Sequence, residues 1–264
     1  MSSGASVGGD RSDLPPGFRL VAFDCVGSTN DEAKHLAHDG AEHGTVVWAR
    51  RQETGRGRRG RAWASPEGNL YTSLILRPVC SPATAAQLSF VAAIALADTV
   101  GPMLSAGTAC RCKWPNDVLV DDRKIAGILL ESEMSPGGGL DWLVLGLGVN
   151  IGHCPADTEF PATSLALAGA SVASPAVLLS AFIAMFDRWY RRWQDEGFAS
   201  IRTAWLERAR GIGGPVTVRL ARRTFDGIFI GMDEDGALIV EQSGGHREHV
   251  TAGEVFFGST AGGS

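Results

Sequence analysis

Between Gly55 and Arg61, four arginines are interleaved with three glycines in a chain whose net charge is −5. The arginine fork matches phosphate and carboxylate oxygens, and glycine lets backbone approach a ligand closely. Together they suit an anion wrapped by a mobile segment. Taken alone, the same residues also fit a solvated basic loop or an RGG-like RNA contact; no Walker A pattern is present. Three further stretches carry chemical groups. In residues 113–131, Lys113 closes an apolar run, Pro115 forces a bend, Asn116 and Asp117 occupy the bend, and Lys124 opens the returning run. A hairpin there would bring two ammonium groups to one pocket from neighbouring strands, although a plain surface hairpin accommodates the same residues. In Leu145–Ile151, glycines remove side chains where something must come close, a ligand or a packed helix, and Asn150 sets an amide at the end. At Gly27–Asn30, Ser28, Thr29 and Asn30 stand at a helix start, ready for a carboxylate or ureido-type head, or simply as caps.

The elements that would hold these groups follow from periodicity and turn residues. A strand is expected over 18–26, then a helix with Thr29 and Glu32 as a capping box and Gly40 as its stop. A strand over 45–49 and another over 69–78 flank the arginine loop. One helix is expected from Ser81 to Gly101, with Ser81 as cap and Pro82 in its first turn. Strand-like runs at 109–114, 117–120, 125–134 and 140–151 are joined by hairpin-like turns, so this part of the sheet reads as antiparallel. A loop over 152–163 leads to a long helix ending at Gly197 and a shorter one over 199–210. After Gly214 the texture becomes short alternating strands with turn signals, a small β-barrel module ending near 258. The fold class is α/β in the α+β sense: a mixed sheet flanked by helices, with a small C-terminal barrel.

Composition narrows the function. Of 264 residues, 44% are apolar and 20% charged, enough for a full core. The acidic balance argues against a general nucleic-acid binder. Five irregularly spaced cysteines make no disulfide framework, and Cys110-x-Cys112 lacks the second pair of a zinc site. The start of the chain has no apolar signal-peptide core, and no apolar run reads as long enough to span a bilayer. Residues 1–17 read as a disordered lead-in. A cytoplasmic protein with reduced thiols and no membrane partner is expected; open sheet edges leave room for a homodimer.

The four stretches, in this order and at these distances, resemble the biotin protein ligases: Ser28-Thr29-Asn30 before a helix, Gln52 followed by GRGRRGR and Trp63, KWPND with Lys124 and an AGIL run, and GLGVN. The similarity spans about 18–258. It implies a catalytic domain over 18–211, related to class II aminoacyl-tRNA synthetases and lipoate ligases, and an SH3-like barrel over 214–258. It implies two steps: biotin and MgATP give biotinyl-5′-AMP and pyrophosphate, and the adenylate is attacked by one lysine of a biotin carboxyl carrier domain. Matched by motif, Ser28, Thr29, Asn30, Gln52, Arg56, Gly57, Arg58 and Lys124 fall on biotin and adenylate contacts. Gly55, Arg58, Arg61, Trp63, Lys113, Asn116 and Asn150 fall around ATP. Lys124 and Arg58 would act in catalysis, and Asp117 would either bind Mg2+ or accept a proton from the acceptor lysine. The segment after Asn150 follows no mapped pattern, which leaves adenine recognition open. The short lead-in has no room for the DNA-binding domain that some family members carry, so a ligase without repressor function or DNA partner is expected. A lipoate ligase is the nearest rival. An RNA-binding RGG protein would need a longer tract with interleaved aromatics. Without ligand, the loop's like charges and few apolar side chains predict mobility and tryptic cleavage after Arg56, Arg58 or Arg59.

Overall fold

The computed structural model describes residues 14–156, 158–172 and 174–257. Most of the expected lead-in, 1–13, lies outside the described residues; 15–18 close a turn through the Phe18 N–H donating to the Pro15 carbonyl. A seven-stranded sheet forms the centre. Its strands are β1 (Arg19–Val26), β2 (Thr45–Gln52), β3 (Leu70–Leu76), β4 (Cys110–Lys113), β5 (Asp117–Val120), β6 (Arg123–Met134) and β7 (Leu140–Val149). Their order is β1-β2-β3-β7-β6-β5-β4; β1 and β2 are parallel and every other pair is antiparallel. Hence the sheet is mixed, and the part joined by hairpin-like turns, β4 to β7, is antiparallel as those signals predict.

Strand alternation assigns the two faces. Leu143, Leu145, Leu147 and Val149 of β7 point into the main core with Leu74 and Leu76 of β3. That core is closed by α3 (Leu88–Val100), α4 (Pro175–Glu196) and α5 (Phe198–Glu207). On the opposite face, Trp142 and Val144 of β7 pack with Val47, Ile75 and with Ala33 and Ala37 of α1 (Thr29–His38). Beyond Val144 the residues on this face are Gly146 and Gly148. Helix α1 therefore covers half of the face, and the glycine half is left as the floor of a cavity.

Three expectations change. The cap of α1 is Ser28, one residue earlier than expected, and its side chain makes no capping bond. The helix expected over 81–101 is two pieces, α2 (Pro82–Ala86) and α3, joined at Gln87. There the backbone tightens to an i−3 bond, Gln87 N–H to Thr84 carbonyl, while Trp193 of α4 donates its indole N–H to the Gln87 side chain at 3.0 Å. Third, Pro82–Met103 is long and apolar enough, at mean hydropathy 1.5, to pass as a membrane span. Two thirds of that stretch is buried inside the fold; α3 is apolar all round because it is enclosed by the sheet, α4 and α5.

The last five strands, β8 (Pro215–Arg219), β9 (Thr224–Met232), β10 (Leu238–Glu241), β11 (Arg247–Val250) and β12 (Glu254–Phe257), form an all-antiparallel sheet in the order β11-β10-β9-β8-β12. This is consistent with the SH3-like module. It is tied to the larger unit by a buried bond, Trp114 Nε1 donating to the Gly236 carbonyl at 3.0 Å, and a partly buried one, Arg202 Nε to the Met232 carbonyl at 2.7 Å. The docking brings β12 to the rim of the cavity.

Candidate active site

The floor of the cavity is a trough of glycines. Gly127 of β6 is paired with Gly148 of β7, and Gly146 lies two residues back on the same face. A Cβ on Gly146 would sit 2.1 Å from Asn30 Oδ1, and one on Gly148 would sit 2.7 Å from the Trp63 indole. A Cβ on Gly127 would meet Trp63 at 3.2 Å and Lys124 Nζ at 3.4 Å. The expectation that these glycines allow a close approach holds, and the groups they admit are side chains of the site itself. Asn30 is seated at one end of the trough, Trp63 and Lys124 at the other.

At the Asn30 end, Gln52 satisfies the first N–H of α1, while the Ser28 side chain caps none. Its Oε1 accepts from the Thr29 N–H at 2.8 Å and the Thr29 hydroxyl at 3.1 Å, while its Nε2 donates to Ser65 at 2.9 Å. Ser73 Oγ lies 2.6 Å from Asn30 Oδ1 and 2.8 Å from Thr29 Oγ1. Ser28, Thr29 and Asn30 are buried within the protein yet line the cavity. The result is a polar wall of fixed hydroxyls and amides.

At the other end, two lysines meet as the hairpin predicts. Lys124 Nζ lies 2.5 Å from Asp117 Oδ1 and 5.5 Å from the Trp63 ring centroid. Lys113 is buried with its Nζ 2.8 Å from the Phe160 ring centroid, and Phe160 stacks on Phe256 of β12 at 4.6 Å. Burial pushes the Lys113 ammonium down to about 7; Asp117 opposes this, and Lys124 and Arg61 add to it. Asn116 donates to the Ile128 carbonyl at 2.6 Å and accepts from Arg58 at 3.2 Å. The same burial, opposed by Asp117 and reinforced by Arg59 and Arg61, lowers the pKa of Arg58.

The arginine loop roofs the cavity. Its two arms meet through an Arg56–Ala62 bridge, and Arg59 and Gly60 turn the chain with left-handed φ values of 57° and 71°. The charges that were expected to repel have partners. Arg56 makes a bidentate ion pair with Asp31 at 2.5 and 2.6 Å and reaches Glu131 at 3.2 Å. Arg61 pairs with Glu254 of β12. Arg56 lines the cavity, and its guanidinium is engaged by Asp31 and Glu131.

Asn150 holds the unmapped segment in place. Its Nδ2 donates to the Thr163 carbonyl at 3.1 Å and its carbonyl accepts from Leu165. Lys124 is bracketed by the same segment, N–H to Pro161 and carbonyl from Thr163. Thus all of the sequence-predicted site residues line one cavity of about 800 Å3, toward the upper end of the range for small-molecule sites. Sequence reasoning missed Pro155, Thr158, Glu159, Phe160, Gly253, Glu254 and Val255, which line it too. Only the lone aromatic, Phe160, in the 152–163 segment was a local signal; the β12 residues arrive by docking of the two units. Among the described residues no group of three or more His, Cys, Asp or Glu is arranged to cage a metal, and all five cysteines are free.

The Biotin/lipoate A/B protein ligase family matches residues 22–150, and the biotin protein ligase C-terminal domain matches residues 211–258. A biotin–[acetyl-CoA-carboxylase] ligase of Paracoccus denitrificans is 44% identical, over 88% of this chain and 97% of that protein. The chain belongs to the biotin protein ligase family. The two matched regions of the family fall on the large unit and the five-stranded sheet described above. Among solved members, a biotin protein ligase from Aquifex aeolicus in complex with biotin and ATP has a similar fold. Its TM-score is 0.74 at 25% identity, covering 90% of this chain and 97% of that one. A biotin protein ligase from Leishmania major in complex with biotinyl-5-AMP gives 0.60 at 26% identity, covering 90% of this chain and all of that one.

Proposed function

We propose that this cavity activates biotin with ATP to biotinyl-5′-AMP and passes the biotinyl group to a lysine of a biotin carboxyl carrier domain. The observation that carries this reading is the trough with a neutral polar wall at one end and two lysines and aromatic rings at the other. Ser28, Thr29, Asn30 and Gln52 suit an uncharged ureido head, which offers both donors and acceptors. The carboxylate end then reaches Lys124. Two like unit charges about 4 Å apart repel by about 4 kcal/mol at an effective dielectric near 20, so a carboxylate attacks a phosphate only where a cation sits between them. Lys124 supplies that cation, and Asp117 holds its Nζ in place.

Trp63, Phe160, Lys113 and Asn116 serve the nucleotide. Magnesium is held by one or two carboxylates together with substrate phosphates and waters rather than by an all-protein cage, which fits a site whose nearest acids, Asp117, Glu159 and Glu254, are each already ion-paired. When bound with ATP the ion neutralises phosphate charge. Asp117 and Glu159 would hold it. Arg58 and the loop exclude water from the mixed anhydride. Catalytic and C-terminal domains over 18–211 and 214–258 divide this work, with β12 completing the nucleotide end.

Two expected outcomes follow here. Lys113 has its pKa near 7 in the folded chain against 10.5 for the free side chain. Between those values the unfolded chain holds more protons, so Lys113 makes stability rise with pH through that window. Phosphates beside it restore the ammonium, so ATP binding above about pH 7 takes up a proton. Calorimetry in buffers of different ionisation enthalpy reads that uptake, and Lys113→Met abolishes it. Second, Gly148→Ala forces the Trp63 indole off its seat. Stacking on a base is worth about 1–3 kcal/mol, so KM for ATP rises roughly tenfold while biotin affinity changes little. The reading as a whole is tested by titrating the chain with biotin and with lipoate. Tight binding of biotin alone supports it, and preference for lipoate contradicts it.

A further inference from the structure

Four charged side chains close a ring just outside the ureido wall. Arg56 grips Asp31 through both terminal nitrogens, at 2.5 and 2.6 Å, and reaches Glu131 at 3.2 Å. Lys34 spans the same two acids, at 2.8 Å from Asp31 and 3.0 Å from Glu131. Two cations face two anions, so the ring is neutral as a set. Glu131 also accepts from Asn30 Nδ2 at 2.7 Å. The ring therefore meets the cavity at two of its lining residues, Arg56 of the loop and Asn30 of the wall.

The loop's other ties differ in kind. Arg58 has one bond to Asn116, and Arg59 and Arg61 pair with Glu254 while their side chains stay 43% and 51% exposed. The Arg56 side chain is 28% exposed and its partners Asp31 and Glu131 are 38% and 27%, against 13% for Glu254; what sets Arg56 apart is the bidentate grip on one acid together with a second acid. Charge-assisted, bidentate and partly buried pairs are the strong ones, and exposed pairs contribute little. The Arg56 hydrogen bond to Asp31 holds that carboxyl well below the usual carboxylate range. Burial raises Glu131, but its bonds from Asn30 and Lys34 and the charge of Arg56 outweigh this and leave it lowered. Both acids are charged throughout the neutral range.

We propose that Asp31 and Glu131 are positioning residues that pin the entry arm of the arginine loop through Arg56 and orient the Asn30 amide, so that the loop opens between Gly57 and Arg61 and not at its base. Arg56 thus acts as a hinge post, with its guanidinium held by Asp31 and Glu131. The inference rests on the biotin-activating reading for its kinetic consequence, but not for its structural one. It refines the sequence-based expectation of tryptic cleavage at all three arginines: Arg56 is held, and Arg58 and Arg59 are the sites that open.

The test uses the full chain. Trypsin is applied without substrate and the cuts are mapped by mass spectrometry. The unmodified chain is cut after Arg58 and Arg59 well before Arg56; Asp31→Asn and Glu131→Gln each bring cleavage after Arg56 up to a similar rate. In steady state each variant raises KM for biotin about tenfold, as expected for losing one charge-assisted bond, while kcat at saturating biotin changes less than the KM does. In Asp31→Asn with Arg56→Gln the losses are not additive, because both changes break the same pair. Early cleavage after Arg56 in the unmodified chain overturns the proposal. So do variants that fold with an unchanged cleavage pattern, or that lower kcat and leave KM alone. If Asp31→Asn does not fold, Glu131→Gln, which keeps an acceptor for Asn30, decides the same point. Turnover of lipoate in place of biotin would overturn the functional reading while the cleavage pattern still tested the hinge.

Discussion

Lys124→Ala is expected to lose about a hundredfold or more in adenylate formation, the scale of removing one preorganised charge partner from a transition state, while binding biotin within a few-fold of the unmodified chain. The asymmetry follows from where the ammonium stands. Its Nζ lies over Gly127, beside Trp63, and 2.5 Å from Asp117, at the nucleotide end of a trough whose other end carries Asn30. On the proposed reading, ground-state biotin is held largely by the wall formed by Ser28, Thr29, Asn30 and Gln52. Lys124 matters most when carboxylate and phosphate approach. The substitution has a second effect: Asp117, 11% exposed, loses its counter-charge and adds a negative group where two anions must meet. Biotin-dependent pyrophosphate release and a parallel biotin titration read the two effects separately. Normal release, or binding lost in step with release, removes Lys124 from its assigned role.

Arg58→Gly is expected to make adenylate at a rate within about tenfold of the unmodified chain, since the transition-state cation remains, but to lose it to solvent. On the proposed reading Arg58 closes the roof and Lys124 serves the reacting atoms. Its bond to Asn116 ties the middle of the loop to the KWPND bend. Removing the side chain cuts that tie, and a glycine at this position adds about 0.4–1 kcal/mol of unfolded-loop entropy against closure. Free biotinyl-AMP then acylates lysines on any protein nearby. Labelling of an unrelated bystander protein, with no carrier present, measures the leak. A variant that is inactive in the first step and labels no bystander contradicts a lid role.

Much of this site is legible as sequence because its chemistry is local. Lys113, Pro115, Asn116, Asp117 and Lys124 sit on one hairpin, and a hairpin brings such residues together wherever it is placed. Gly146 and Gly148 share a strand face by the two-residue repeat alone. The residues that escaped are those whose meaning depends on distant partners. Asp31 reads from sequence as an acid favouring a helix N-terminus, and only the fold sets Arg56 and Glu131 against it. Glu254 and Phe256 lie in a separate unit, and the docking that gives them Arg61 and Phe160 leaves no mark in their own stretch. The cap of α1 differs for a similar reason: Gln52, on β2, takes the Thr29 N–H that Glu32 would take in a capping box. The apolar stretch of α3 shows the opposite limit. Its composition alone fits a membrane, and burial on every side accounts for it.

The central claim is that this cavity joins biotin to a protein lysine through an adenylate. It is tested most directly by incubating the purified chain with labelled biotin, ATP, magnesium and a carrier domain, beside the same carrier with its acceptor lysine changed to arginine. The account predicts stoichiometric label on the first carrier, none on the second, and none when ATP is omitted. Absence of transfer with all components present, or equal transfer from labelled lipoate, would contradict it.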